Sequence, residues 1–432
     1  MKSINVGLMG LGTVGTGVWN LIEERQSQLA AIAGCEVKVT KVLIKSREKQ
    51  RQVAVDNALL TTDIDVLVND PEIDILIEVM GGIDDTYGSI QKALQNRKHV
   101  ISANKDLMAV HGGSLQETAA AYDCNLYYEA AVGGGIPVLR SLTNGLSLES
   151  IHRIIGILNG TSNFILSKMA AEHVPFDEVL KEAQDLGFAE ADPYADISGL
   201  DAARKMVILA HLGCGVDVNL DDVQISNIES IDESDIDFAE RMGYVIKQIG
   251  TVECGDHGIE IGVEPTFLPK DHSLASVNGE YNAVYVYGDA VGETMFYGPG
   301  AGERPTASSI MADLAEVIKN MKSGLNGSQL ALKRRQEKNI LNPGEGASKF
   351  YLRLHLQDEI GSFMELTHLF KEQNISLEKV IQEPLEDQSA EVAVITHQTS
   401  KQAIEDMEIY LKDLNVVQDV KSQYRVEGMM SS

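Results

Sequence analysis

Apolar positions along this 432-residue chain recur in blocks, first alternating or continuous as in strands and then with the period of about 3.6 that marks helices. The opening block, Ile4-Asn-Val6-Gly7-Leu-Met9, is a short apolar run that stops at Gly10-Leu-Gly12-Thr13-Val14-Gly15. Helical spacing follows at once in Gly17-Val-Trp19-Asn-Leu21-Ile22. Strand, glycine turn and helix in this order form the setting in which a GxGxxG signature indicates a dinucleotide site. Gly10 permits the tight turn, Gly12 lets the backbone approach a pyrophosphate, and Gly15 lets the helix pack closely on the strand. The helix N-terminus at Thr13 and Val14 then faces the anion.

Further apolar runs extend the pattern. Val37-Lys-Val39-Thr-Lys-Val42-Leu43-Ile44 is a β-rich run ending in Lys45-Ser46-Arg47. An acid at that place binds a ribose 2′-hydroxyl, whereas basic residues suit a 2′-phosphate, so Lys45 and Arg47 favour NADP, with NAD also accepted. Ile73-Asp-Ile75-Leu-Ile77-Glu78-Val-Met80 is nearly continuous, as a strand buried on both faces should be, and stops at Gly81-Gly82. His99-Val100-Ile101 runs into Ser102-Ala103-Asn104-Lys105. Ligands of open α/β sheets sit outside the carboxyl ends of the strands, which places Lys105 near cofactor or substrate.

The mid-chain segment Gly187-Phe-Ala-Glu190-Ala-Asp-Pro-Tyr-Ala-Asp196-Ile-Ser-Gly-Leu-Asp201-Ala-Ala-Arg-Lys205 carries several carboxylates and a lysine around an Asp192-Pro193 turn. It feeds directly into Met206-Val-Ile-Leu-Ala-His-Leu212, an apolar helical stretch. A helix starting near Gly199 puts Asp201 and Lys205 on one face. A lone Asp–Lys pair at this spacing would be an ordinary surface ion pair. The apolar flank and the additional acids favour a site, with Lys205 as a positioned proton donor.

After residue 131, strand-like runs (Ile151–Ile157, Ile259–Val263, Ala283–Tyr287) mix with helices, and a helix is expected after Pro305. Beyond a polar stretch ending in Asn342-Pro-Gly-Glu-Gly-Ala-Ser348, the pattern reads strand (Phe350–Leu356), helix (Phe363–Gln373), strand (Ile375–Ile381), strand (Glu391–Ile395), helix (Ile404–Leu414). The expected architecture is α/β with three parts. A Rossmann-type doubly wound parallel sheet occupies residues 1–130, completed by a returning helix at about 303–322 that brings Gly302 near the cofactor. An α+β substrate-binding domain spans 131–302, to which the resemblance set out below adds a dimerisation role. A linker at 323–348 then leads to a C-terminal ferredoxin-like domain at 349–432 that resembles an ACT-type regulatory module.

Taken together, the chain resembles homoserine dehydrogenases over essentially its whole length. The motifs that carry the resemblance are Gly7–Gly15, Glu78–Gly82, Ser102–Lys105, Glu129-Ala-Ala-Val-Gly-Gly-Gly-Ile-Pro137, Gly156-Ile-Leu-Asn-Gly-Thr-Ser-Asn163, Gly187–Lys205 and Gly298-Pro-Gly-Ala-Gly302-Glu-Arg-Pro-Thr306. The resemblance implies nicotinamide-dependent interconversion of L-homoserine and L-aspartate 4-semialdehyde. It implies Lys205 as proton donor, Asp201 as the residue that holds Lys205 and substrate, and Glu190 as the partner of the substrate ammonium near the backbone of Gly187. Lys105 would serve both cofactor and substrate. It also implies a monovalent cation such as Na+ on the loop from Glu129, through carbonyls at Val132, Gly134 and Ile136, and a homodimer or homotetramer. The ACT-type resemblance adds a possible amino-acid effector such as threonine, or oligomerisation alone. Its first turn departs from the usual Asp-x-Pro-Gly, reading Asp358-Glu-Ile360-Gly361.

Composition narrows the alternatives. With 64 acidic against 36 basic residues, the formal charge of −28 argues against nucleic-acid partners and anionic membrane surfaces. A cytoplasmic enzyme is expected. An aldehyde dehydrogenase acting on the same semialdehyde would need an activated cysteine, and Cys124 and Cys214 sit in apolar contexts without an activating partner. A non-catalytic amino-acid sensor would be expected to have lost Glu190, Asp201 and Lys205, all of which are present.

Overall fold

The computed structural model describes residues 3–48, 51, 53–255, 258–327, 338–342 and 346–428. Residues 328–337 and 343–345, within the stretch read as a linker, lie outside the described residues. The chain folds into two compact units. One holds residues 1–154, 204–221 and 286–337, the other 155–203, 222–285 and 338–432.

The first unit is built on a parallel sheet of β1 (Ser3–Met9), β2 (Glu36–Leu43), β3 (Leu60–Thr61), β4 (Ile75–Glu78), β5 (His99–Ser102) and β6 (Leu126–Tyr127). Its order, β3-β2-β1-β4-β5-β6, reverses direction at β1 as a doubly wound sheet does. Every residue of β4 and β5 is buried, which explains why their sequences are continuous rather than alternating. The helix Thr13–Glu24 covers β1 with Val18, Leu21 and Ile22. The helix Glu303–Ser323 returns to the same core through Ala307, Ile310, Leu314 and Val317.

The second unit has a mixed sheet that includes β7 (Tyr244–Gly255), β8 (Gly258–Pro269), β9 (Ala347–Gln357), β10 (Leu377–Pro384), β11 (Ser389–Thr396) and β12 (Val417–Val426). Their order is β7-β8-β12-β9-β11-β10. The last four strands, with helices Ser362–Glu372 and Lys401–Asp413, form a βαββαβ module of ferredoxin-like connectivity. The module shares its sheet with the strands before it, because β12 pairs in parallel with β8 (Thr266 with Arg425, Phe267 with Val426). One face of the module's sheet packs on its own helices through Leu352, Leu354, Val392 and Val394. Residues of the opposite face, Tyr351, Ala393, Ile395 and Tyr424, join Ile165, Phe238, Met242 and Phe267 in a core within this unit.

Candidate functional site

In the first unit the glycine loop is shaped by its backbone. Gly10 has φ +108°, and a Cβ there would stand 2.8 Å from the Val79 carbonyl; one on Gly15 would lie 2.2 Å from the Gly10 carbonyl. Only glycine closes the turn this tightly. Gly12, by contrast, faces open space, and as N-cap of Thr13–Glu24 it offers no side chain to the first helical N–H groups. Those groups, at Thr13, Val14 and Gly15, form an anion seat. Beside them opens a cavity of about 910 Å³ lined by Gly10, Gly12, Lys45, Ser46, Arg51 and Asp85, among others. The lining fits a dinucleotide.

Lys45 lines this cavity and Arg47 does not. The guanidinium of Arg47 donates to the Leu60 carbonyl at 2.7 Å. Arg51, which the sequence reading passed over, lines the cavity instead, with one guanidinium nitrogen on the Ser46 carbonyl. Gly302 is the N-cap of the returning helix, with φ +118°. That helix start presses on the first helix so closely that a Cβ on Gly17 would meet the Glu303 carbonyl at 2.7 Å.

Glu78, at the end of β4, is wholly buried and accepts from the backbone N–H of Met80 (2.8 Å) and Gly81 (3.1 Å) and from the Ser102 hydroxyl (2.6 Å). Burial pushes its carboxyl above the usual range, against these hydrogen bonds. Asn104 donates to the Gly82 carbonyl at 2.7 Å and caps the helix Lys105–Ala121 through Leu107 N–H at 3.1 Å. Glu78 and Asn104 thereby fix two strand-end turns and set Lys105 at a helix N-terminus. Sequence reasoning quoted both segments without giving either residue a role; a carboxylate closing an apolar strand was the available signal. Next to Lys105, Asp106 pairs with Arg204 at 3.0 Å, and Arg204 is the neighbour of Lys205.

The loop beginning at Glu129 is also in this unit. Both Glu129 carboxylate oxygens accept backbone N–H groups, from Leu139 and Arg140, at 2.8 Å each. Asp313 accepts from Glu129 N–H (3.0 Å) and from the Arg140 guanidinium (2.6 Å). The Gly134 carbonyl accepts from the Ser309 hydroxyl at 2.7 Å and that of Ile136 from Val138 N–H at 2.8 Å. Burial, reinforced by the charge of Glu129, pushes Asp313 up to about 7. Burial favours the neutral form of both acids, and carbonyl oxygens on the loop keep a second lone pair. The Gly134 and Ile136 carbonyls thus keep a lone pair each, whereas both Glu129 carboxylate oxygens are already taken by backbone N–H groups. Among the described residues no group of three or more His, Cys, Asp or Glu side chains is placed to hold a metal ion.

The second unit assembles a carboxylate cluster. Asn159, the N-cap of helix Gly160–Glu172, donates to Asp196 at 2.8 Å and to Asp201 at 2.9 Å. Thr161 donates to the Phe188 carbonyl (2.8 Å), and Gln184 to the Glu190 carbonyl (3.2 Å), which tie the Gly187–Glu190 loop to the neighbouring helices. Gly187 takes φ +78° in this loop, and Glu190 is exposed. The helix Leu200–Leu209 begins after Gly199, where the spacing predicted it, and carries Asp201 and Lys205 one turn apart. Both side chains are buried, at 6% and 8% exposure, so the pair is not a solvated surface bridge. Cys124 is a free, buried thiol pushed up to about 11 by burial, a poor nucleophile.

A family profile described as "Homoserine dehydrogenase, NAD binding domain" matches residues 10–129, and one described as "Homoserine dehydrogenase" matches residues 137–315. A homoserine dehydrogenase of Bacillus subtilis is 50% identical over 99% of both chains. One of Lactococcus lactis is 40% identical over 92% of this chain and 94% of its own. The crystal structure of a homoserine dehydrogenase from Thiobacillus denitrificans superposes with a TM-score of 0.92 at 36% identity, covering 99% of each chain. A hyperthermophilic archaeal homoserine dehydrogenase in complex with NADPH, 26% identical, superposes on 73% of this chain and 97% of its own with a TM-score of 0.62.

Proposed function

The chain belongs to the homoserine dehydrogenase family, and on that premise we propose which of its residues carry the reaction. The activity is the reversible, nicotinamide-dependent interconversion of L-homoserine and L-aspartate 4-semialdehyde, a step of amino-acid biosynthesis. A bound nicotinamide cofactor supplies the hydride chemistry. Lys205 gives a proton to the aldehyde oxygen during reduction and takes it from the hydroxyl during oxidation. Asp201, one turn earlier, orients Lys205 and contacts substrate. Glu190 receives the substrate ammonium, with the Gly187 backbone beside it, and Lys105 serves both cofactor and substrate. The burial of Asp201 and Lys205 on one helix face is the observation that carries the assignment.

NADP is the preferred cofactor, with NAD accepted. Lys45 at the end of β2 and Arg51 across the cavity lining supply positive charge where an NAD site would place an acid. The Val132, Gly134 and Ile136 carbonyls would hold a monovalent cation such as Na+, with Glu129 contributing charge. The βαββαβ module is an ACT-type unit that either takes an amino-acid effector such as threonine or serves assembly into a homodimer or homotetramer. Unchanged activity over a wide threonine titration would leave only the second role.

The test is oxidation of L-homoserine followed by absorbance, with NADP and NAD in parallel, in wild type and Lys205→Ala. The variant should lose roughly 10²–10⁴ in kcat, while KM for homoserine stays within a few-fold. Wild-type kcat in Lys205→Ala would move the acid role, first to Lys105.

A further inference from the structure

We infer that Asn159 is a positioning residue for this chemistry: its amide bridges Asp196 and Asp201 so that Asp201 is held in one orientation toward its partners. The inference rests on the assignment of Asp201 and Lys205 above. It gives a task to the Asn159 of the Gly156–Asn163 motif, which no step of the proposed reaction uses.

The geometry leaves the amide no freedom. Asn159 is 5% exposed, and its Oδ1 accepts from Ser162 N–H at 2.8 Å, capping the helix Gly160–Glu172. Its two amide hydrogens go to Asp196 Oδ1 at 2.8 Å and Asp201 Oδ2 at 2.9 Å. A flipped amide would set its NH2 against the Ser162 N–H and its oxygen between two carboxylates, so the cap fixes which end faces the acids. The cap in turn belongs to a helix seated in the unit's core through Ile165, Leu166 and Met169. The orientation of Asp201 is thus referred back to the long buried helix rather than to the single turn Tyr194–Ile197 that carries Asp196.

Two N–H bonds diverging from one planar nitrogen place the accepting oxygens about 5 Å apart. Carboxylates this close repel, and one of them would ordinarily hold a proton to higher pH. A neutral NH2 donating to both stabilises the charged form of each and adds no positive charge. The cluster therefore keeps its negative potential for a cation. On the helix Leu200–Leu209 the residue one turn beyond Asp201 is Lys205, and the substrate is itself an ammonium compound. An arginine or lysine at position 159 would hold the same acids but neutralise that potential.

A helix cap alone does not require asparagine, since serine and aspartate cap comparably well. Asn159→Ser and Asn159→Asp retain the cap acceptor and delete the two donors, which separates the two roles. Each is compared with wild type for thermal midpoint, for kcat and KM with L-homoserine, and for the pH dependence of kcat, with Lys205→Ala measured alongside. In Asn159→Ser the cap is kept, so the midpoint should fall by no more than a few degrees, the cost of the two lost hydrogen bonds. Its kcat should fall roughly 10–100-fold, the loss expected when donors to charged acceptors are removed. The acid limb of the pH profile should move to higher pH, because Asp196 and Asp201 lose the donor that favours their ionised forms. Asn159→Asp, with a third carboxylate, should move that limb further.

Wild-type kcat and an unmoved acid limb in Asn159→Ser, with Lys205→Ala inactive, would overturn the inference and leave the site assignment standing. If Asn159→Ser does not fold, the same two readouts on Asn159→Asp decide the matter. Activity in Lys205→Ala would remove the premise, and the inference with it.

Discussion

Arg353 of β9 and Asp235 of the helix Glu233–Met242 form an ion pair at 2.8 Å, with their side chains 3% and 0% exposed. Asp235 also accepts from the Tyr424 hydroxyl at 3.1 Å and from Ser422, and Arg353 reaches Glu391 at 2.8 Å and Asp232. Burial, with the charge of Asp235, drives the phenols of Tyr351 and Tyr424 far above their ordinary range. Asp232 and Asp235 form the capping box of their helix, so the arginine binds the C-terminal module to a helix start elsewhere in the same unit.

Removing Arg353 leaves Asp235 buried without its counter-charge. Arg353→Ala should therefore lower stability by about 3–5 kcal/mol, read as a reduced urea midpoint. Replacing both residues together, as in Arg353→Met with Asp235→Leu, should recover much of the loss. A single variant as stable as wild type would show that solvent or a neighbouring cation replaces the guanidinium.

Cofactor choice should respond to Lys45. Lys45→Ala should raise KM for NADP roughly tenfold or more while changing KM for NAD less than about twofold, since only NADP offers a 2′-phosphate for a charge-assisted hydrogen bond. Arg51→Ala should act in the same direction. Equal changes with the two cofactors would exclude a 2′-phosphate contact at these side chains.

His99 should make the first unit acid-sensitive. Its Nδ1 accepts from Asn125 N–H at 2.9 Å, and burial lowers its pKa to about 4, only partly offset by the charge of Asp123. The folded value lies below the unfolded one of about 6.5, so between these the unfolded chain binds more protons and stability rises with pH. The contribution, up to about 3 kcal/mol, is complete above pH ~6.5 and is lost as pH falls toward ~4. Unfolding free energies of wild type and His99→Gln, compared across pH 4–7, should converge at the acid end. A constant difference would mean that His99 does not titrate differently on folding.

The legible part of the fold was the part whose signal is local. Ile4–Met9 and the glycines after it announce themselves because a buried parallel strand is apolar throughout and its turn admits few side chains. The helix of Asp201 and Lys205 was legible for a similar reason, as an i,i+4 pair feeding an apolar run. Strand β7 was not, because Lys247 and Gln248 interrupt its pattern. Lys247 is nonetheless buried, with its ammonium on Asn163, Ser167, Asn278 and the Val277 carbonyl. In β12 the sequence Val417-Gln-Asp-Val-Lys-Ser-Gln-Tyr-Arg-Val426 looks like a polar tail, yet Arg425 is buried against Glu260. Partners distant in sequence make such residues acceptable inside, and no window on the chain contains both. Asn159 was hidden in the same way: its meaning lies in two aspartates 37 and 42 positions away.

The pairing of Thr266 with Arg425 also dictates a schedule of synthesis. When β8 leaves the ribosome, part of its edge has no neighbour until about 160 more residues have been translated. Exposed strand edges recruit other chains, and late, sequence-distant closure is slow. The nascent protein must therefore carry an open sheet while those residues are made, at translation rates of about 5–20 residues per second. The interval amounts to many seconds, long enough for a holdase chaperone to compete with misassociation between neighbouring chains on one message.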